Sequence, residues 1–309
     1  MAPLVRLCAV SVDLDEIPNY FQIHGLGSSG EARGASAVYD VAVDRLTQMA
    51  SDARLPLTLF AVGADLARPE AAAKLRAARD AGHEIANHSL DHRYDLVKLT
   101  RAEIVEQIEA GARAIETAVG TRPIGFRAPG YTITDEVFSV LRELEVRYDS
   151  SVFPCPSYWG AKTLAISWIA ARGRRSRSVV DTPAVLTAPT RPYRVGTPYW
   201  RRGDGLLEIP IQVTRGLRLP FFGTPITLWG ASFARALARM CVGEPLINLE
   251  LHGIDVLDAD DGLEALRPHQ PDVRVAKERK LEALHAVFEL LRREGYAFTT
   301  LAEAAERAA

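Results

Sequence analysis

Cysteine is scarce in this 309-residue chain: Cys8, Cys155 and Cys241 stand far apart and are odd in number. That excludes an obvious disulfide framework and a cysteine-based zinc motif, and fits buried or spectator thiols in a reducing compartment. An excess of one charge is lacking too. Lys plus Arg total 37 against 39 Asp plus Glu, a formal net charge of -2, which argues against a nucleic-acid partner. Long apolar runs are also missing. No window approaches the ~20 residues of a membrane span. The first apolar stretch, Leu7 to Val12, leads straight into carboxylates, without the longer apolar region and cleavage site of a secretory leader. A cytoplasmic location is the resulting expectation. What is there, 48% hydrophobic and 25% charged residues, suits a globular protein. A chain of this length buries roughly three-quarters of its unfolded surface without covalent staples.

Short apolar runs alternate with amphipathic stretches, the pattern of βα units around a parallel sheet. Strands are expected at 7–14, 55–63, 83–88, 125–130, 146–152, 206–213, 245–252 and 297–301. Helices are expected at Ser36–Ala53, 69–81, Thr100–Val119, from a Thr134 cap to Glu145, near 231–242 and near 272–294. Thr100 with Glu103 reads as a capping box, and Gly82 and Gly120 as helix-ending glycines. A Gly/Ser-rich loop spans His24 to Gly34. Seven or eight such units in one chain point to a single barrel domain over 1–309. Periodicity is lost over 153–205, which reads as an irregular insertion at the barrel rim, either a functional lid or partner surface or a solvated loop.

The informative residues fall at strand ends, the face on which barrel active sites are built. Asp13 and Asp15 end the first strand, and residues two apart project to one side. Both carboxylates can therefore face one pocket, although Asp at strand ends also caps turns. His88 and His92, in NHSLDH, come together if that segment makes one helical turn. Two histidines and a carboxylate form the donor set of a catalytic zinc site. Arg127 lies in FRAPGY with Pro129 and Tyr131, and His252 ends INLELH. A histidine closing so apolar a strand would be a poor core residue, because its ring nitrogens need partners.

VDLD, HSLDH, RAPGY and LELH, in this order and at these distances, resemble the motifs of the polysaccharide deacetylase (NodB-homology, carbohydrate esterase 4-like) family. DSSVFP at 149–154 stands at the position of that family's less regular fourth motif. The resemblance spans about residues 5 to 302. It implies a distorted (β/α) barrel of seven or eight units and metal-dependent hydrolysis of an acyl group from a carbohydrate. Position by position it implies Asp13 as catalytic base and Asp15, His88 and His92 as metal ligands. Arg127 would orient the base, and His252 would be the general acid with Asp149 behind it. Tyr131, with Pro129 in the same loop, matches the position whose backbone amide lies near the oxyanion. Zn²⁺ is the implied metal, with Co²⁺, Ni²⁺ or Mn²⁺ as alternatives.

One feature departs from the pattern. Most members carry Thr-Phe-Asp-Asp where this chain has Asp13-Leu14-Asp15, a spacing similar to a subgroup acting on small amides, cyclic ureides or lipid-linked sugars. The expected partner is thus a carbohydrate or other small N-acylated substrate, including a lipid-linked or nucleotide-linked amino sugar. A cyclic ureide or small-amide hydrolase, and a catalytically silent carbohydrate-binding barrel, are the competing readings. Trp159, Trp168, Tyr193, Tyr199 and Trp200 lie near the basic run RGRRSRS at 172–178. This mixture suits sugar stacking, phosphate binding or a peripheral membrane contact. LPFFG at 219–223 resembles a loop of deacetylases linked to exopolysaccharide assembly.

Overall fold

The computed structural model describes residues 5–26 and 34–308; residues 27–33 of the expected His24–Gly34 loop lie outside the described residues. One sheet is built from β1 (Arg6–Asp13), β2 (Leu57–Ala61), β3 (Glu84–Asn87), β4 (Gly125–Phe126), β5 (Tyr148–Asp149), β6 (Tyr193–Val195), β7 (Arg202–Glu208), β8 (Leu246–His252) and β9 (Tyr296–Thr299). Its order is β6-β7-β5-β4-β3-β2-β1-β8, with β9 against the first half of β1. All neighbours are parallel except β6 and β7. Beyond β7, Ile209 N donates to Asp149 O (2.8 Å), Ile211 N to Val152 O (3.0 Å) and Gln212 N to Asn248 O (3.1 Å). These irregular bonds carry the sheet round to β8. The expected distorted barrel is what the chain forms.

The helices are α1 (Ile17–Ile23), α2 (Val43–Ala53), α3 (Pro69–Asp80), α4 (Arg101–Val119), α5 (Asp135–Glu143), α6 (Pro156–Ala171), α7 (Gly223–Trp229), α8 (Ala231–Arg239), α9 (Lys277–Arg293) and α10 (Leu301–Ala308). Among the described residues none is long and apolar enough to cross a membrane. All three cysteines are free and buried.

β1 shows why the site forms where it does. Its even residues, Cys8, Val10 and Val12, join the core beneath the helices, while Leu7 and Ala9 face the other way. A parallel strand covered on both faces reads as a continuous apolar run. The interior series continues through Ser11 to Asp13, so the barrel axis turns from apolar to polar towards the strand ends. In β8, Leu246 belongs to the interior cluster, and the same alternation leads to Asn248, Glu250 and His252.

Several expectations shift. Val38–Ala42, expected as the first turns of one α-helix with α2, winds as a π-helix whose Val38 and Tyr39 amides donate to Glu16 Oε2 and Oε1 (3.1 and 3.2 Å). β7 stops at Glu208 because Pro210 has no N–H to continue the ladder. The rim segment 153–205 is more regular than its composition implies. It holds the 16-residue helix α6 and the β6 strand, which pairs with β7. The apolar side chains of α6 surround its axis, so they show no one-sided periodicity to read. Tyr193 and Tyr199 are buried, with Tyr193 Oη donating to Tyr199 O (2.9 Å). They are therefore packing residues, not surface for stacking on sugars.

Thr100 Oγ1 accepts from Glu103 N and Glu103 Oε2 accepts from Thr100 N (2.8 Å), the capping box in full. Thr100→Ala should lower stability by about 1 kcal/mol, read as a shifted urea midpoint with unchanged slope.

Candidate functional site

Arg127, just past β4, is fully buried beneath the strand ends. Its Nε donates to Ser150 O (2.8 Å), Nη1 to Asp13 Oδ1 (2.6 Å), and Nη2 to Ser11 Oγ and Ser150 Oγ (2.8 and 2.9 Å). Its guanidinium lies 4.1 Å from the centre of the Phe60 ring. Asn248 extends the network, accepting from Ser11 Oγ (3.1 Å) and donating to Ser150 Oγ (2.9 Å). A buried guanidinium is tolerated only when its donors are met and its charge is paired. Here both conditions hold.

Beside Asp13 a second cluster converges. Asp15 Oδ1 lies 3.2 Å from His88 Nε2 and 3.0 Å from His92 Nε2. These three atoms are buried yet make no aligned hydrogen bond. Orphaned donors of this kind, aimed at one point, fit a metal ion as the shared partner, and the set is two imidazoles and a carboxylate. His88 Nδ1 faces Arg127 O at 2.8 Å, which holds Nδ1 protonated and leaves the Nε2 lone pair towards the cluster. Burial opposes ionisation of Asp15, but the two imidazoles hold its carboxyl well below the usual range.

The loop joining these histidines is not the helical turn that a spacing of four invites. Ser89 and His92 adopt positive φ, 68° and 49°. The loop is instead strapped to α4: Leu90 N donates to Gln107 O (2.9 Å), and Gln107 Nε2 to Asp91 Oδ2 (2.8 Å). Gly111 permits this approach, since a Cβ there would meet Asn87 Oδ1 at 2.7 Å.

On the opposite side of Asp13 stands His252. Its Nδ1 is 3.2 Å from Glu250 Oε1, and its Nε2 is 3.1 Å from Tyr131 Oη. Both Glu250 oxygens are buried and lack an aligned donor. Burial alone would push the His252 pKa down, but Glu250, then Asp15, Asp13 and Asp255, push it up to about 9. Burial pushes Glu250 up to about 8, with Asp13 adding to it and His252 opposing. The two titrate as a pair, and the proton they share near neutrality is drawn to the imidazole by the Glu250 carboxylate.

Two expected placements fail. Asp149 does not reach His252: its carboxylate accepts from Ser151 N and Ser151 Oγ (3.0 and 2.8 Å). Strand alternation turns Ser150 inward to Arg127 and therefore Asp149 outward. The carboxylate at His252 is Glu250. Its signal was the polar period of two in Asn248, Glu250 and His252 along an apolar strand. The Tyr131 amide is also engaged, donating to Ala128 O (3.1 Å) in the turn Pro129–Tyr131. What Tyr131 brings to the site is its hydroxyl. Pro129 is buried and opens that turn.

Comparison with known proteins agrees with this architecture. Residues 37–148 match the family model described as polysaccharide deacetylase. No curated protein matches. Among solved structures, a protein from Mycobacterium smegmatis described as a polysaccharide deacetylase shares 20% identity at a TM-score of 0.63, covering 99% of this chain and 92% of that one. A CE4 family pseudoenzyme from Bacillus anthracis shares 12% at 0.53, covering 98% of this chain and 66% of its own. The Xyl-CE4 domain of a multidomain xylanase from the hindgut metagenome of Trinervitermes trinervoides shares 14% at 0.51, covering 98% and 91%. At these identities the structures speak for the fold. The matched segment contains His88, His92 and Arg127, so over that stretch the chain is similar to the polysaccharide deacetylase family, and its fold is the one those structures share.

Proposed function

We propose that this chain is a metal-dependent hydrolase that removes an N-acyl group, acetyl or formyl, from an amino sugar. One observation carries the reading: the three-donor cluster of Asp15, His88 and His92 is flanked by Asp13 on Arg127 and by His252 on Glu250. A base and an acid beside one electrophile site are what cleavage of a C–N bond requires. The two imidazoles and carboxylate favour Zn²⁺, and accept Co²⁺, Ni²⁺ or Mn²⁺. A bound ion would polarise the acyl carbonyl and lower the pKa of water towards ~7.

The remaining work falls to side chains. Arg127 holds Asp13 Oδ1, leaving Oδ2 to take the proton of the attacking water. His252 gives its proton to the departing nitrogen, which would otherwise leave as a strongly basic anion. Glu250 and its carboxylate neighbours keep that proton on the imidazole at neutral pH. Tyr131 Oη sits where the leaving nitrogen would approach Nε2, marking the direction of delivery. Asp149 acts at most through the loop it braces.

A cavity of about 880 Å³ opens beside His92; its walls carry Asp91 and Asp95, the latter paired with Arg93 at 2.9 Å, against the cations Arg93, Lys98, Arg175 and Arg177. These cations favour an amino sugar carrying an anionic group, as a lipid-linked or nucleotide-linked sugar does. Hydrolysis of a cyclic ureide or small amide is the second reading, favoured by the spaced Asp13 and Asp15. A silent carbohydrate-binding barrel would keep the fold without turnover.

The deciding experiment couples metal analysis to an acetate- and formate-release assay on a panel of N-acyl sugars and ureides. Release from sugars alone supports the proposal, release from ureides alone selects the second reading, and metal-loaded protein without release on either selects the silent barrel. His92→Ala should lose stoichiometric metal, whereas Asp13→Asn should keep the metal and lose at least a hundredfold in kcat. His252 is the acid below its pKa, so kcat should fall as pH rises through about 9. Glu250→Gln should move that alkaline limb to lower pH with KM little changed; an unmoved limb would remove Glu250 from this role.

A further inference from the structure

α6 is apolar on two opposite faces. One face closes the barrel mouth: Ile169 is buried, Trp159 Nε1 donates to Asp181 O (2.8 Å), and Lys162 Nζ donates to Gly130 O (2.7 Å). On the same side the Tyr158 ring lies 5.9 Å from that of Tyr131 and 4.8 Å from that of Phe153. The other face carries Ala161, Leu164, Ala165, Trp168 and Ala171, all exposed. Their spacing makes one continuous stripe along the helix. Leu164 is 72% exposed and Trp168 57%. Side chains of this size standing side by side in water are unusual on a helix that already has a buried face.

Charge around the stripe narrows what could cover it. From Ser150 to Val180 there is no Asp or Glu, while Lys162, Arg172, Arg174, Arg175 and Arg177 are basic. Arg172, Arg174, Arg175 and Arg177 are exposed and follow the helix directly. The Arg172 guanidinium stacks 3.2 Å from the centre of the Trp168 ring. A narrow apolar stripe bordered by arginine, with an indole at the boundary, matches the layering of a lipid interface. Its acyl region takes Leu and Ala, its headgroup level takes Trp, and its anionic phosphates take Arg. A hydrophobic protein partner of stated shape would not need a border of a single sign.

We propose that α6 and the arginine run after it form a peripheral docking surface for an anionic lipid membrane. The inner face of α6 lines the barrel mouth, so docking through the outer face brings the mouth to the headgroup level. Arg175 and Arg177, in the wall of the cavity beside His92, then lie between that cavity and the lipid phosphates. Binding is measured without turnover, so this proposal and the hydrolase reading can fail separately.

The test is co-sedimentation of the full chain with sucrose-loaded vesicles, either pure phosphatidylcholine or an equal mixture with phosphatidylglycerol. The wild type should pellet with the mixed vesicles, weakly with the neutral ones, and less as salt rises. Leu164→Glu with Trp168→Glu should weaken binding at least tenfold while leaving the melting temperature and any hydrolysis of a soluble amide unchanged. Arg174→Gln with Arg175→Gln should weaken it about fivefold for each arginine removed. Absence of pelleting by the wild type, or equal pelleting by the Leu164/Trp168 variant, would overturn the proposal. So would a wild-type dimer in light scattering that the variant converts to monomer, since the stripe would then cover a second copy.

Discussion

The structure turns on the buried guanidinium of Arg127. An arginine with no access to water must find every partner inside the protein, and here those partners are Ser11 and Asp13 of β1 and Ser150 just past β5. Removing one partner of such a buried pair costs about 3–5 kcal/mol, because a charge is left unpaired in a poor dielectric. Asp13 therefore cannot vary freely: it is the counter-charge that lets the barrel interior become polar. The same contact fixes which Asp13 oxygen faces the neighbouring cluster. Stability and the geometry of the site are thus one constraint.

Around that pair the site divides by proton affinity. Asp15, facing two imidazoles, is held ionised, whereas His252, facing the Glu250 carboxylate, retains its proton. Groups a few ångströms apart are driven in opposite directions by what each one faces. Pushing neighbouring pKa values apart is how a protein obtains a base and an acid in one pocket. The backbone contributes as well. Positive φ at His92 and Tyr131 places both side chains where ordinary loops would not, and strain of this kind is kept where the surroundings over-determine it.

Much of this was legible in the residues. The alternation of β1, the capping box of α4 and the order of polar residues at strand ends are local properties, and each led to the right element. Where the reading failed, the missing information was not local. α6 has apolar side chains all round its axis, because one face meets the barrel and the other stands outside it, so no period marks it as a helix. The resemblance implies Asp149 behind His252, whereas the direction of its side chain follows from the strand that Ser150 must turn inward. His88 and His92 meet through a loop held by Gln107, which no spacing rule encodes.

By itself, then, the sequence determined the βα succession, the polar ends of the interior strands, and a donor set of Asp and His fit for a metal. These depend on periodicity and residue type. Only the tertiary structure decided that Glu250, not Asp149, backs His252, that the Tyr131 amide is already engaged, and that the outer face of α6 stands exposed among the described residues. These depend on which strand lies beside which and on what each buried polar atom finds opposite it. Such relations exist only once the barrel has closed.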